Sequence, residues 1–346
     1  MDSDTFVGLD THRKIVVATA VDSRGLELRQ KQLGATDEEL KEFLRSLPGR
    51  THVALEASTV WEHFFDAAVS VGSEVTLSHP RKTRLIAEAS LKSDRVDSEA
   101  LATFLRLNAL PSAYAPPEST RELRRIVRDW VFYSKNRRAV MSHVYAALLQ
   151  KGVEYEDGFL LRKVRREELR ALGIPVVNRG LDLLMALDAI RRDLEEALHS
   201  AFLESAAAQL LSTIPGIGEF NAVALTAFLC PISRFHNLDQ VASYCGLCPT
   251  NYQSASTSYQ GALKPDCNRS LRWVLIEASW SNRRYERGGD VSRVGKRIAR
   301  RKGKPRGAVS AAHKLLRIVV AVLRRGTPYS HQYPDRQRCK MNPAGS

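Results

Sequence analysis

The chain has 346 residues, 44% of them apolar and 26% charged; that length predicts two domains, and the composition excludes both a mostly disordered chain and a disulfide-framed miniprotein. Its five cysteines, at positions 230, 245, 248, 267 and 339, have no framework spacing, which points to reduced thiols in a cytoplasm. The net charge of +14 is unevenly spread: residues 1–115 hold 14 basic and 17 acidic side chains, whereas 281–346 hold 18 basic and 3 acidic, the footprint of a polyanionic partner, nucleic acid before membrane.

No charged-then-apolar leader precedes residue 30, and the charge-free stretch 220–233 is too short to cross a bilayer. Phe6–Leu9 reads as a buried strand, Lys14–Asp22 as its neighbour and Leu26–Leu33 as a third. Thr36 then caps a helix with Leu40, Phe43 and Leu44 on one side. Val53–Leu55 is a strand, Trp61–Val71 a helix, and Val75–Leu77 a strand ending at Pro80. A helix is expected from about Asp94 to Leu107. This order predicts an α/β layer with a mixed sheet.

Residues Pro111–Ser119 are the clearest linker. Beyond it the period turns helical: Leu123, Ile126, Val127, Trp130, Met141, Val144 and Leu148 mark one long helix. Leu183, Leu187, Ile190, Leu194 and Ala197 repeat at four-three spacing, a short coiled-coil-like seam. Two long helices joined by a less regular segment, 151–178, imply an antiparallel arm or an oligomerisation element. From Ser212 the chain returns to compact helices and turns, ending in a basic helix near Val309–Arg324.

Asp10 directly follows the first strand and Glu56 the fourth. Carboxylates at the ends of neighbouring strands point into one crevice. Asp94 and Asp97, three apart at a helix start, share one helix face. Each has a plain structural use, as a turn cap, a strand-end charge or a first-turn acid. Together, four converging carboxylates repel one another; two divalent cations about 4 Å apart relieve that repulsion and clamp a phosphodiester for in-line displacement.

Ile214-Pro215-Gly216-Ile217-Gly218 has the form of a helix-hairpin-helix turn, which aims backbone N–H groups at a phosphate or simply joins two helices. The hydroxyl-rich run Tyr252–Ser258 reads by composition as a flexible loop, and composition does not choose among its hydroxyls. Cys245 and Cys248 have zinc-like spacing but no second pair, so buried thiols are the favoured reading. In the basic rear, Arg283, Arg284, Arg287, Lys296, Arg297, Arg300, Arg301, Lys302 and Lys304 alternate with apolar residues, suiting them to neutralise the phosphates of RNA or DNA.

GLDTHRK at 8–14, ALEAS at 54–58, KSDRVDSEALA at 92–102, IPGIG at 214–218, GLCPTNYQS at 246–254 and KLLRIVVAVLRRGTPY at 314–329 stand in family order. Over about residues 5–330 the chain resembles the insertion-sequence transposases of the "one-ten" family, described as bridge-RNA-guided recombinases, with a pilin-gene DNA invertase in the same group. The resemblance implies an α/β amino-terminal RNase H-like (RuvC-like) domain at 1–110 whose Asp10, Glu56, Asp94 and Asp97 bind one or two Mg²⁺. It further implies a long helical coiled-coil and oligomerisation region at 111–209 and a mainly α carboxyl-terminal transposase domain at 210–330, followed by a tail at 331–346. The family's catalytic serine falls on Ser254, with Ser256 in reserve.

The implied reaction is strand cleavage and rejoining through a phosphoserine intermediate, without a nucleotide cofactor. The implied partners are donor and target DNA, a structured guide RNA and further copies of the chain as a dimer or tetramer, in a bacterial cytoplasm at the nucleoid. The competing expectations are a junction resolvase-like nuclease that uses water, a DNA invertase of the same family, and a non-catalytic nucleic-acid-binding protein that retains the basic surface.

Overall fold

The computed structural model describes residues 4–87, 94–155, 158, 160, 163–254, 257–285 and 289–330. The chain divides into two compact units, 1–116 and 117–346. The boundary falls inside the proline-rich stretch read as a linker. A mixed α/β sheet unit is thus followed by a mostly helical one.

The first unit is built on five strands, β1 (Thr5–Thr11), β2 (Ile15–Val21), β3 (Glu27–Gly34), β4 (Thr51–Glu56) and β5 (Glu74–Ser78), in the order β3-β2-β1-β4-β5. β1 is central, antiparallel to β2 and parallel to β4. Alternation along the strands sorts the residues by face. Val7, Leu9, Val16, Ala18, Val53 and Leu55 share a core with Leu40, Phe43 and Leu44 of helix α1 (Asp37–Arg45) and Phe64 of α2 (Trp61–Ser70). Thr36 caps α1 as its sequence predicts, accepting from the Glu39 N–H.

The opposite face is covered by α4 (Asp94–Arg106). Gly8 makes that approach possible, since a Cβ there would run into the Ser98 carbonyl and lie 2.6 Å from the Ala102 nitrogen. The Ser98 hydroxyl meets the Thr19 hydroxyl at 2.7 Å, both buried. At the other end of α4, the Arg106 guanidinium reaches the Ser23 carbonyl beyond the end of β2. α4 therefore runs back along β1, and its first turn lies toward the carboxyl end of that strand.

Two local readings are corrected. Pro80, taken as a strand stop, is the first residue of a further helix, α3 (Pro80–Ala87), a position where the missing N–H costs nothing. The start of the linker is docked rather than free: Ala113 N–H donates to Leu77 and His79 N–H to Pro111.

In the second unit, α5 (Glu118–Gln150) and α7 (Pro175–Glu204) lie antiparallel, joined through α6 (Lys163–Ala171). The order of contacts fixes the direction: Trp130 donates to Glu195, Arg137 meets Asp188, and Gly180 abuts Val144. The stripe that α7 buries is Val177, Leu181, Leu184, Leu187 and Leu198. Of the seam read from the sequence, Leu187 is buried while Leu183 and Ile190 are 50% and 36% exposed. α7 is apolar over a wide arc, and a four-three repeat does not specify which of its stripes meets α5.

The remaining elements are α8 (Ala206–Ser212), α9 (Glu219–Leu229), α10 (Leu238–Tyr244), β6 (Pro249–Ser254), β7 (Thr257–Leu263), α11 (Arg269–Tyr285), α12 (Asp290–Lys302) and α13 (Lys304–Arg325). Val127 of α5 and Leu198 of α7 sit in the same core as Phe228, Leu275 and Leu316. Both long helices thus contribute to the core of the carboxyl-terminal unit. Only their distal ends, with α6, carry a small core of their own around Val144, Leu160 and Leu181.

Candidate functional site

Leu9 and Leu55 are partners in the parallel register of β1 and β4, so Asp10 and Glu56 leave two neighbouring strands at the same end. By alternation, both lie on the face that carries Gly8 and Ala54, the face covered by α4. Thr11 and Ser58, whose hydroxyls are 3.3 Å apart, tie the two strand ends together. Asp10 is half-buried, and its carboxylate lies 3.1 Å from His12 Nε2. Asp97 stands half-buried in the first turn of α4, next to Ser98. Asp94 opens that helix; its side chain lies outside the described residues.

Among the described residues, no three His, Cys, Asp or Glu side chains are gathered closely enough to hold an ion. Asp10, Glu56, Asp94 and Asp97 offer carboxylates, the hard oxygen ligands that Mg²⁺ or Mn²⁺ prefers, so these residues fit such an ion chemically. Two residues that the sequence reading passed over border them. Ser78 pairs with Glu56 in the β4–β5 register, and neither its hydroxyl nor Nδ1 of the following His79 has a hydrogen-bond partner among the described residues, although both atoms are buried. A Ser-His pair at a strand end was the available signal.

Ser254 is the last residue of β6 and pairs with Thr257 of β7. The flexible-loop reading of Tyr252–Ser258 is therefore corrected to an antiparallel hairpin; Ser256, in its two-residue connection, lies outside the described residues. The base of the hairpin is held by Lys264 N–H on the Cys248 carbonyl and by Arg272, which donates to the Lys264 carbonyl at 2.6 Å. Cys245 is fully buried beneath it, and burial pushes its thiol well above the ordinary range.

Gly216 has φ +83°, and a side chain there would strike the backbone of Ser281 and Asn282 in α11. Asn282 also donates to the Pro215 carbonyl at 2.7 Å. Gly216 thus fastens this turn to α11, while exposed Gly218 caps α9. On α12, Val291, Ser292 and Gly295 are buried, while Lys296, Arg297, Arg300, Arg301 and Lys302 are exposed, as is Lys304 at the start of α13. Arg283 is half-buried and Arg284 exposed at the end of α11; Arg287 lies outside the described residues. Among the described residues, no helix is long and apolar enough to cross a membrane.

A family model for DEDD transposases of the IS110 type matches residues 7–152, and a second, described as the transposase IS116/IS110/IS902 family, matches 208–292. Among curated proteins, the putative transposase y4rJ of Sinorhizobium fredii is 30% identical, over 80% of this chain and 79% of its own length. The chain belongs to the IS110/IS116/IS902 transposase family. The transposase for IS1328 of Yersinia enterocolitica is 24% identical over 95% of this chain and all of its own length. That for IS1111A of Coxiella burnetii is 23% identical over 80% and 79%. The protein is accordingly a transposase, an enzyme that cleaves and rejoins DNA, and the DEDD match points to divalent-metal use.

Proposed function

We propose that this transposase breaks and rejoins DNA through a covalent link between Ser254 and a strand phosphate, with Mg²⁺ held by Asp10, Glu56, Asp94 and Asp97. The observation that carries the acidic half is the shared exit of Asp10 and Glu56 from parallel β1 and β4, on the face and at the end toward which the first turn of α4 lies. The strand order with β2 antiparallel supports an RNase H-like reading of the unit. The serine half rests on the resemblance of residues 246–254.

In this mechanism Ser254 Oγ gives up its proton as it bonds to the scissile phosphorus, and the departing strand leaves as a hydroxyl that takes up a proton. The new phosphoserine ester retains the energy of the broken phosphodiester, so no nucleotide cofactor is required. A hydroxyl of a different strand then attacks the same phosphorus and frees Ser254. The chemistry that a bound Mg²⁺ supplies is neutralisation of charge on the phosphoryl oxygens. The basic surface of α12 and the start of α13 holds nucleic acid through its phosphates, whether the DNA itself or a structured guide RNA. Exposed Leu183 and Ile190 on α7 support assembly as a homodimer or tetramer. The site of action is the bacterial cytoplasm, on nucleoid DNA.

Replacing Ser254 by Ala tests the proposal. DNA nicking by purified protein is expected to vanish while gel-shift binding survives. Persistent cleavage in S254A would instead favour a water-using nuclease.

A further inference from the structure

Helix α11 turns its buried residues, Leu271, Val274, Leu275, Ala278 and Asn282, toward the core. Positions 269, 273, 280 and 284 fall on the opposite side at helical spacing. They are Arg269, Trp273, Trp280 and Arg284, two indoles flanked by cations, with Glu277 between the indoles and 3.8 Å from Arg138. Trp280 is 41% exposed, and the Arg283 guanidinium lies over its ring, 4.6 Å from the centroid. Trp273, half-buried against Trp130 and Phe220, has the Arg138 guanidinium 5.3 Å from its ring centroid.

An indole with 41% of its surface in water keeps part of its ring free for a partner, and the guanidinium groups beside it repel cationic ones. Flat aromatic faces with flanking cations match one chemistry well, that of unpaired bases on a phosphodiester chain: the rings stack on bases and the arginines meet phosphates. A closed duplex hides its base faces and offers only phosphates. We infer that the α11 ridge is a stacking platform for an unpaired DNA strand, a site distinct from the carboxylates and from Ser254. It rests on the family's cleavage and rejoining of DNA, which separates strands, and not on the serine chemistry.

The test is fluorescence anisotropy of the full-length protein with a labelled oligothymidine strand and with a blunt duplex, in EDTA so that no cleavage intervenes. Trp280→Ala is expected to weaken single-strand binding about ten-fold and duplex binding less than about two-fold, and Trp280→Phe to restore most of the loss. Binding of the strand should also quench tryptophan emission less in W280F than in the unaltered protein. An unchanged single-strand affinity, an equal loss for duplex, or a loss confined to an RNA strand of matching sequence would each overturn the assignment. Because nothing is cut in EDTA, failure of the Ser254 mechanism leaves this result unaffected.

Discussion

Gly8 sets how closely α4 lies on the strand that carries Asp10. It sits two positions before Asp10, and its missing side chain lets Ser98 and Ala102 of α4 lie directly on β1. Gly8→Val would force that helix away from the sheet, with an expected loss of about 3 kcal/mol from overpacking, read by urea denaturation. Cleavage should fall with it, because Asp94 and Asp97 travel on the displaced turn. A second residue with a measurable role is Asp188, which receives Arg137 at 2.6 Å and Arg166 at 2.7 Å. Burial works against its ionisation, but the two arginines outweigh burial and hold the carboxyl below its ordinary 3.8. Its contribution to stability is therefore complete above about pH 4 and fades as pH falls through the depressed value. Asp188→Ala should cost about 2 kcal/mol at neutral pH, and the gap from the unaltered protein should narrow in denaturation measured toward pH 3.

Elements differed in how plainly they could be read. β1, β2 and β4 carry near-continuous apolar runs, and α1 announces itself through Thr36 and the spacing of Leu40, Phe43 and Leu44. The β6–β7 hairpin is written in Thr, Asn, Gln, Ser and Tyr; without an apolar alternation, its pairing leaves no periodic trace and composition mimics a loop. α7 reads plainly as a helix, whereas which of its apolar stripes is buried within the chain is decided by α5. The acidic residues are legible from their positions at strand ends and a helix start, and Ser78 and His79 from a strand end alone, whereas Trp280 owes its interest to surroundings that only folding creates. The outward face of α12 yields a prediction at this scale. Replacing Arg300, Arg301, Lys302 and Lys304 together by Gln should lower the slope of log affinity against log salt by about 3 to 4. An unchanged slope would remove this surface from the nucleic-acid interface.

Across the whole molecule, the carboxylates proposed to hold metal and the serine proposed to bond to DNA belong to different units. The carboxylates stand on β1, β4 and α4 within residues 1–116, while Ser254 and the exposed cations belong to the mostly helical unit that follows. Loss of a carboxylate should thus separate chemistry from binding: Asp10→Asn, Glu56→Gln or Asp97→Asn is expected to abolish strand cleavage with nucleic-acid affinity changed less than about two-fold, as gel shift would measure. A parallel loss of binding would show that the two units do not divide the work in this way.

The most direct test is to denature the protein during reaction with DNA and Mg²⁺, digest it, and identify by mass spectrometry the residue that carries a nucleotide. A phosphodiester on Ser254 is expected, present in the unaltered chain and missing from D97N. A nucleotide on another residue, or cleavage with no protein-bound nucleotide at all, would contradict it.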